Sequence, residues 1–458
     1  MAELVILHTN DLHSHMTHWP RIARWLREQR EAALARGAAV LVLDDGDAMD
    51  RVHPLTEATD GQFNIEQQNA VGYDAVTIGN NEGVGNSHDV LTHLYDHAKF
   101  PVALANLFEA DGRRPRWARP VVRKTLPDGT RVAILGFTAP FFLTYAPNGW
   151  QVKPVEAVLP DLLQAIGGSY DVLIVLSHLG ITADRYLAAH FPEIDVIIGG
   201  HTHHLLAQGE LDGRTLVTAA GKHGQYVGEI HLQLDATHQI TERRAQTHAF
   251  ETLPSAPGDA AQIAAWQAQG IALLQARPVA RLPREFRIDY NGASALRQLG
   301  LSAVAAGGGT QAALLNAGLF LHDLPAGIVT QADLHALLPH AMHLMRITLR
   351  GTDLWRLVME IEKNRHFLRH FHLVGMSFRG DIFGDMGLLG LQVTPKRQVL
   401  YAGQPLVPEQ QYTITGLDHY LFIPFFPTIE IVGENQLLFP KLLRTVFAEY
   451  LAAHYPIS

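Results

Sequence analysis

Five times within the first 204 residues, a short apolar run stops abruptly at a cluster of histidine, aspartate, asparagine and glycine. Apolar runs lie at 4–7, 40–43, 75–78, 102–104, 132–135, 172–176 and 196–198. Their near-continuous hydrophobicity marks strands buried on both faces, and helical stretches alternate with them, the pattern of a layered α/β fold. In the helix expected at 20–37, Ile22, Trp25, Leu26 and Leu34 share one face, a proline opens the first turn and Gly37 stands as a C-cap. After the first run comes His8-Thr-Asn10-Asp11-Leu-His13-Ser-His15; after the second, Asp44-Asp45-Gly46-Asp47; after the third, Gly79-Asn80-Asn81-Glu82-Gly83. Ser177-His178-Leu179-Gly180 and Gly199-Gly200-His201-Thr202-His203-His204 follow the sixth and seventh. Loops beyond the carboxyl ends of strands in an open α/β sheet converge on one crevice. Donors spread over about 190 residues are therefore expected to meet.

Composition narrows the function. The chain of 458 residues carries 36 Lys+Arg against 45 Asp+Glu, a formal net charge of −9, which argues against nucleic acid as a partner. No apolar run reaches the roughly 18 residues a membrane span requires. The absence of cysteine excludes disulfides, iron-sulfur clusters, thiolate zinc sites and cysteine nucleophiles, whereas 26 histidines stand out. The strand-like run at 3–8 has no basic leader ahead of it, so the expected location is the cytoplasm. Further strands are expected within 228–250 and helices at 256–276 and 293–306, with a domain break near residue 285 and a mixed α and β remainder.

Taken singly, Asp11, Asp47 and Asn80 suit turns, Asp44 and Asp45 suit turns or caps, and His8, His15, His18 or His223 suits a hydrogen-bonded structural role. Five clusters in this order are hard to explain as caps. Asp11 and His13 are two apart at a strand end, as are His201 and His203, so short turns can aim each pair at one ion. Adding Asp47, Asn80 and His178 gives seven oxygen or nitrogen donors without sulfur, a set suited to Mn²⁺, Zn²⁺, Fe or Co²⁺. Seven donors exceed one tetrahedral site and suffice for two divalent ions if one carboxylate bridges.

The strings His8-Thr-Asn-Asp-Leu-His13, Asp45-Gly-Asp47, Gly79-Asn80-x-Glu82, His178-x-Gly180 and Gly200-His-x-His203 resemble the calcineurin-like metallophosphoesterases, the first string their 5'-nucleotidase branch, and the Gly79-Asn80-Asn81-Glu82 variant that branch's bacterial, YunD-like members. Leu315-Asn316-Ala-Gly318, Leu324-Pro325-x-Gly327, Asp333, Pro339 and Leu349-x-Gly351 look like the 5'-nucleotidase substrate domain. The resemblance implies a four-layer α/β/β/α metallophosphatase domain at 1–285, a linker helix at 286–306 and a smaller mixed α+β substrate-binding domain at 307–458. It implies one ion on Asp11, His13 and His203, another on Asn80, His178 and His201, and Asp47 between them. The implied reaction is release of phosphate from a nucleotide or related small phosphoester by in-line attack of a metal-bridging hydroxide. Nucleotide-sugar pyrophosphatase, 2',3'-cyclic nucleotide phosphodiesterase and metal-bound nucleotide binding with little turnover are the alternatives.

Two departures matter. The family's histidine after the metal-binding asparagine is Asn81 here, and its carboxylate partner is Val84, so Asn81 is expected to touch the phosphoryl group without supplying a proton. His88, His15 or His223 is a candidate replacement. In the second domain the family's Asn-x-Gly-Gly-x-Arg clamp reads Asn316-Ala-Gly318-Leu319-Phe320-Leu321, which loses the arginine and leaves Arg346 or Arg379 to substitute. Phe378 and Phe425, the latter among Phe422, Phe425 and Phe426, are the candidates for holding a nucleobase.

Overall fold

A computed structural model describes residues 2–375 and 378–457. The chain forms two compact units, Met1–Gly270 and Ile271–Ser458. In the first unit, seven strands form one sheet in the order Ile240–Ala249, Tyr226–Leu234, Ala2–Thr9, Ala39–Asp44, Ala75–Val76, Val102–Ala103, Ala118–Arg119. Six form a second, in the order Glu210–Asp212, Thr215–Thr218, Val196–Gly199, Val172–His178, Arg131–Thr138, Val122–Thr125. The strands that end in polar clusters pair in parallel within each sheet, so their carboxyl ends lie on one side.

Side chains alternate across a strand, and here both faces find apolar partners. Leu4, Ile6, Leu41 and Leu43 pack with Ile134, Ile174, Leu176 and Ile198 between the sheets. Val5, Leu7 and Val42 turn outward against Ile22 and Leu26, while Leu135, Val175 and Ile197 meet Leu159, Ile166 and Leu187. The layers are therefore α/β/β/α. The helix Trp19–Ala35 departs from expectation at its end: Ala33 is buried and Leu34 is exposed. Ala33 stands seven residues beyond Leu26 and nearly in line with it, whereas Leu34 is rotated a further 100° or so.

The second unit is built on a five-stranded sheet, in the order Met386–Leu389, Ala313–Asn316, Gln411–Leu417, His343–Arg350, Glu434–Leu442. The segment expected as a linker helix at 286–306 contains the start of the helix Ala295–Gly308, whose Leu296, Leu299, Leu301 and Val304 belong to this unit's own core. The boundary itself falls within the helix Asp259–Gln275. Among the described residues no helix is long and apolar enough to cross a membrane.

Candidate metal centre

The donors expected from the five clusters meet at the carboxyl ends of the strands. His203 Nε2 lies 3.4 Å and His13 Nε2 3.7 Å from Asp11 Oδ1, and the two imidazole nitrogens are 3.2 Å apart. Asp47 Oδ2 is 3.4 Å from His178 Nε2 and 3.7 Å from His13 Nε2. Asn80 Oδ1 accepts from His201 Nδ1 at 2.9 Å. Ligand atoms of Asp11, His13 and His203 form one group that could hold a metal ion, and those of Asp11, Asp47 and His178 form another.

Backbone geometry brings them there. Asp11, His13, Asp47, His201 and His203 all have positive φ, between 47° and 68°. Residues with side chains rarely adopt this region, and such positions cluster at functional sites. Close approach adds a second constraint at Gly79, where a Cβ would lie 2.0 Å from Asp47 Oδ1. Only glycine lets the third loop pass against that carboxylate.

Hydrogen bonds then fix which atoms face the crevice. His178 Nδ1 donates to the Asp45 carbonyl at 2.8 Å, which leaves the lone pair on Nε2. That Nε2 is fully buried and has no hydrogen-bond partner. Asp47 Oδ1 accepts the Asn81 N–H at 2.7 Å, so Oδ2 is the oxygen presented to the histidines. Burial would raise the Asp47 carboxyl, but when His178 and His13 are protonated their charge, together with the Asn81 N–H, holds it below the usual carboxylate range. An ionised carboxylate facing a buried, unpartnered imidazole nitrogen suits a divalent cation.

Glu82 was legible in the motif but not its task. Its buried carboxylate accepts from the N–H groups of Asp47, Met49 and Gly79, at 2.9, 3.0 and 2.8 Å, and so ties the second loop to the third. A glutamate at the third position of a helical turn reaching back to its N-cap is the signal that points to it. Burial, and next the charge of Asp47, push Glu82 up to about 7. Asp44 takes the Gly46 N–H as a turn residue, whereas both oxygens of the fully buried Asp45 lack partners. Asn10 also supports the centre, donating to Asp11 Oδ2 at 2.8 Å.

Asn81 sits among these groups. Its Nδ2 lies 2.9 Å from His13 Nδ1 and donates to the Met49 carbonyl at 3.2 Å. Of the three candidate replacement histidines, His223 stacks on His15 at 3.7 Å and stands edge-on to His13 at 5.6 Å. His88 is engaged elsewhere, bonded to Glu109 and stacked on Trp150. Phe141, which the sequence did not single out, stands 5.4 Å from the His201 ring on a partly exposed loop.

In the second unit, Asn316 is fully buried, its Nδ2 donating to the Phe383 carbonyl and its Oδ1 accepting from the Tyr420 hydroxyl. Phe378 is buried and stacked face to face on His340 at 5.3 Å. Phe425 packs against Phe367 and Phe371. Arg346 donates to the Gly308 carbonyl and Arg379 to that of Phe378. Each of these side chains has a structural engagement in this unit.

Residues 4–205 match the calcineurin-like phosphoesterase family, and residues 276–422 match the 5'-nucleotidase C-terminal domain. The metallophosphoesterase YunD of Bacillus subtilis is 32% identical over 462 residues, covering 98% of this chain and 99% of YunD. The chain belongs to the calcineurin-like phosphoesterases that carry a 5'-nucleotidase C-terminal domain. It is a metal-dependent phosphoester hydrolase. Human 5'-nucleotidase is 26% identical over 304 residues, covering 58% of this chain and 52% of that protein. The fold is shared with a putative 5'-nucleotidase from Staphylococcus aureus, at a TM-score of 0.68 and 16% identity over 100% of this chain and 98% of that one. It is likewise shared with the NAD nucleotidase of Haemophilus influenzae, at a TM-score of 0.65 and 16% identity over 99% and 96%.

Proposed function

We propose that this hydrolase uses two divalent ions to release phosphate from a nucleotide. The observation that carries the reading is that Asp47 Oδ2 faces both His178 Nε2 and His13 Nε2, at 3.4 and 3.7 Å, so one carboxylate oxygen addresses both donor groups. Asp11, His13 and His203 would hold one ion and Asn80, His178 and His201 the other, with Asp47 shared. Such a pair, drawn from Mn²⁺, Zn²⁺, Fe or Co²⁺, supplies an activated water nucleophile and neutralises charge developing at phosphorus. The chain's own groups do the positioning. Asn81 and Glu82 hold Asp47, and the Asp45 carbonyl fixes the tautomer of His178. The match to the 5'-nucleotidase C-terminal domain supports a nucleotide as substrate, and the expected setting is the cytoplasm.

A second reading, nucleotide binding with little turnover, draws on the absence of a histidine at Asn81 and of an arginine at Leu321. One experiment separates the two. Protein reconstituted with Mn²⁺ or Zn²⁺ is assayed for phosphate release from AMP, UMP, a UDP-sugar and 2',3'-cyclic nucleotides, and its ions are counted by elemental analysis. Two ions per chain with release from a nucleoside monophosphate is the expected result. Binding without release from any substrate would favour the second reading, and one ion per chain would rule out the shared carboxylate.

A further inference from the structure

The first unit holds a cleft of about 550 Å³ that includes none of the expected metal ligands. His88, Glu109, Arg113, Arg114, Arg116 and Trp117 are among its lining residues. Its size is that of small-molecule sites in general. Most of the charge in it is already matched. Glu109 Oε2 meets His88 Nε2 at 2.8 Å, Asp111 pairs with Arg113 at 2.6 Å, and Arg116 reaches Asp96 at 2.8 Å.

Arg114 is the exception. Its Nη1 donates to the Ala105 carbonyl at 2.7 Å and its guanidinium lies 4.8 Å from the centre of the Phe108 ring. No carboxylate is paired with it among the described residues, and burial pushes its pKa down without an opposing charge. Trp117 lines the same cleft as an apolar wall, its ring packed against Tyr95 and Trp150. A half-buried cation on the wall of an open cleft, without a counter-ion of its own, favours an anionic ligand there.

We propose that this cleft is a second ligand site, which takes a phosphate monoester of about nucleotide size with its phosphoryl group on Arg114. The planar guanidinium fork matches phosphate geometry. The volume beyond it accommodates the esterified group, which a bare phosphate ion would leave unfilled.

The test is calorimetric titration of the full-length Asp47→Asn variant, stripped of metal with a chelator, so that binding is read apart from hydrolysis and from metal loading. The probes are AMP, ribose 5-phosphate, inorganic phosphate and adenosine. AMP and ribose 5-phosphate are expected to bind more tightly than inorganic phosphate, and adenosine not at all. Arg114→Gln is expected to raise both Kd values by about tenfold or more. Because Arg114 also bonds main chain, a second variant is needed: Ala110→Trp fills the cleft from an exposed position and should abolish binding while the melting temperature holds. Affinities unchanged in both variants, adenosine binding as well as AMP, or inorganic phosphate matching the esters would each overturn the proposal. The site would survive failure of the two-ion reading, since no step of the test uses the metals.

Discussion

The backbone N–H of Asn81 donates to Asp47 Oδ1 at 2.7 Å while its side-chain amide lies 2.9 Å from His13 Nδ1. The residue in the place of the family's histidine thus orients two expected ligands. An amide can hold a phosphoryl oxygen or a ligand, but it cannot protonate a leaving oxygen, and general-acid help is worth about 10² to 10⁴ in rate. An aryl phosphate is therefore expected to be hydrolysed faster than AMP by a factor in that range. Equal rates, with the same basic limb in the two pH profiles, would refute a leaving-group limitation.

Asp47→Asn tests the shared carboxylate most directly. The substitution keeps the shape and removes the charge that faces His13 and His178. Phosphate release is expected to fall by about 10²-fold or more, the scale seen when a site loses one preorganised electrostatic group. Metal content should drop below that of the wild type. Wild-type content together with wild-type turnover would eliminate Asp47 as a ligand.

Glu82 predicts a structural phenotype. Glu82→Ala strips the acceptor from three buried N–H groups, on Asp47, Met49 and Gly79. Each such group left unsatisfied costs about 1–3 kcal/mol. A lowered melting temperature and weakened metal binding are expected together, and Glu82→Gln should recover much of the first. Unchanged metal affinity in a destabilised Glu82→Ala protein would confine the residue to a folding role.

His419 makes the stability of the second unit depend on acid. Its imidazole is fully buried, neither nitrogen has a partner, and burial pushes it down to about 4. The unfolded chain binds that proton near pH 6.5, so between those values it holds more protons than the fold. Stability is full above about pH 6.5 and falls as the pH drops towards 4. Denaturant midpoints at pH 7.5 and 5.0 should differ more in the wild type than in His419→Leu. An identical pH dependence in the two proteins would remove His419 as the source.

The opposite sign is expected at the Tyr226–Leu234 strand. Hydrogen bonds to Glu229 and Glu3 hold the His231 imidazole above its ordinary value, with burial opposing them. Its contribution is fully present below the unfolded pKa, near 6.5, and is lost as the pH rises through the raised folded value. His231→Gln should flatten the alkaline side of the stability profile. A variant profile parallel to the wild type above pH 7 would argue that the two glutamates gain nothing from this cation.

Much of this was legible because the first unit's strands are buried on both faces. Continuous apolar runs can be read without knowing their neighbours, and the polar clusters begin where those runs end. That the expected donors gather in one place followed from their position at strand ends. What escaped was decided by partners distant in the chain. Leu34 belonged to the apolar pattern of its helix, yet the core reached only Ala33. Asn316 carried a recognisable motif, but its amide is taken up by Phe383 and Tyr420, residues 67 and 104 positions away. The partnering of Glu82 with the loop of Asp47, and the unpaired state of Arg114, likewise depend on what lies across space. The local cap pattern points to the contact of Glu82 with Gly79, but none encodes its reach to Asp47 or the missing carboxylate partner of Arg114.

Five expected ligands sit on left-handed turns held by their surrounding loops. Those bends are set by the fold, so an incoming ion has little main chain to rearrange. Exchange of one metal for another should accordingly be paced by the departure of the bound ion, and a chelator should empty the centre while leaving the circular dichroism of the sheets intact.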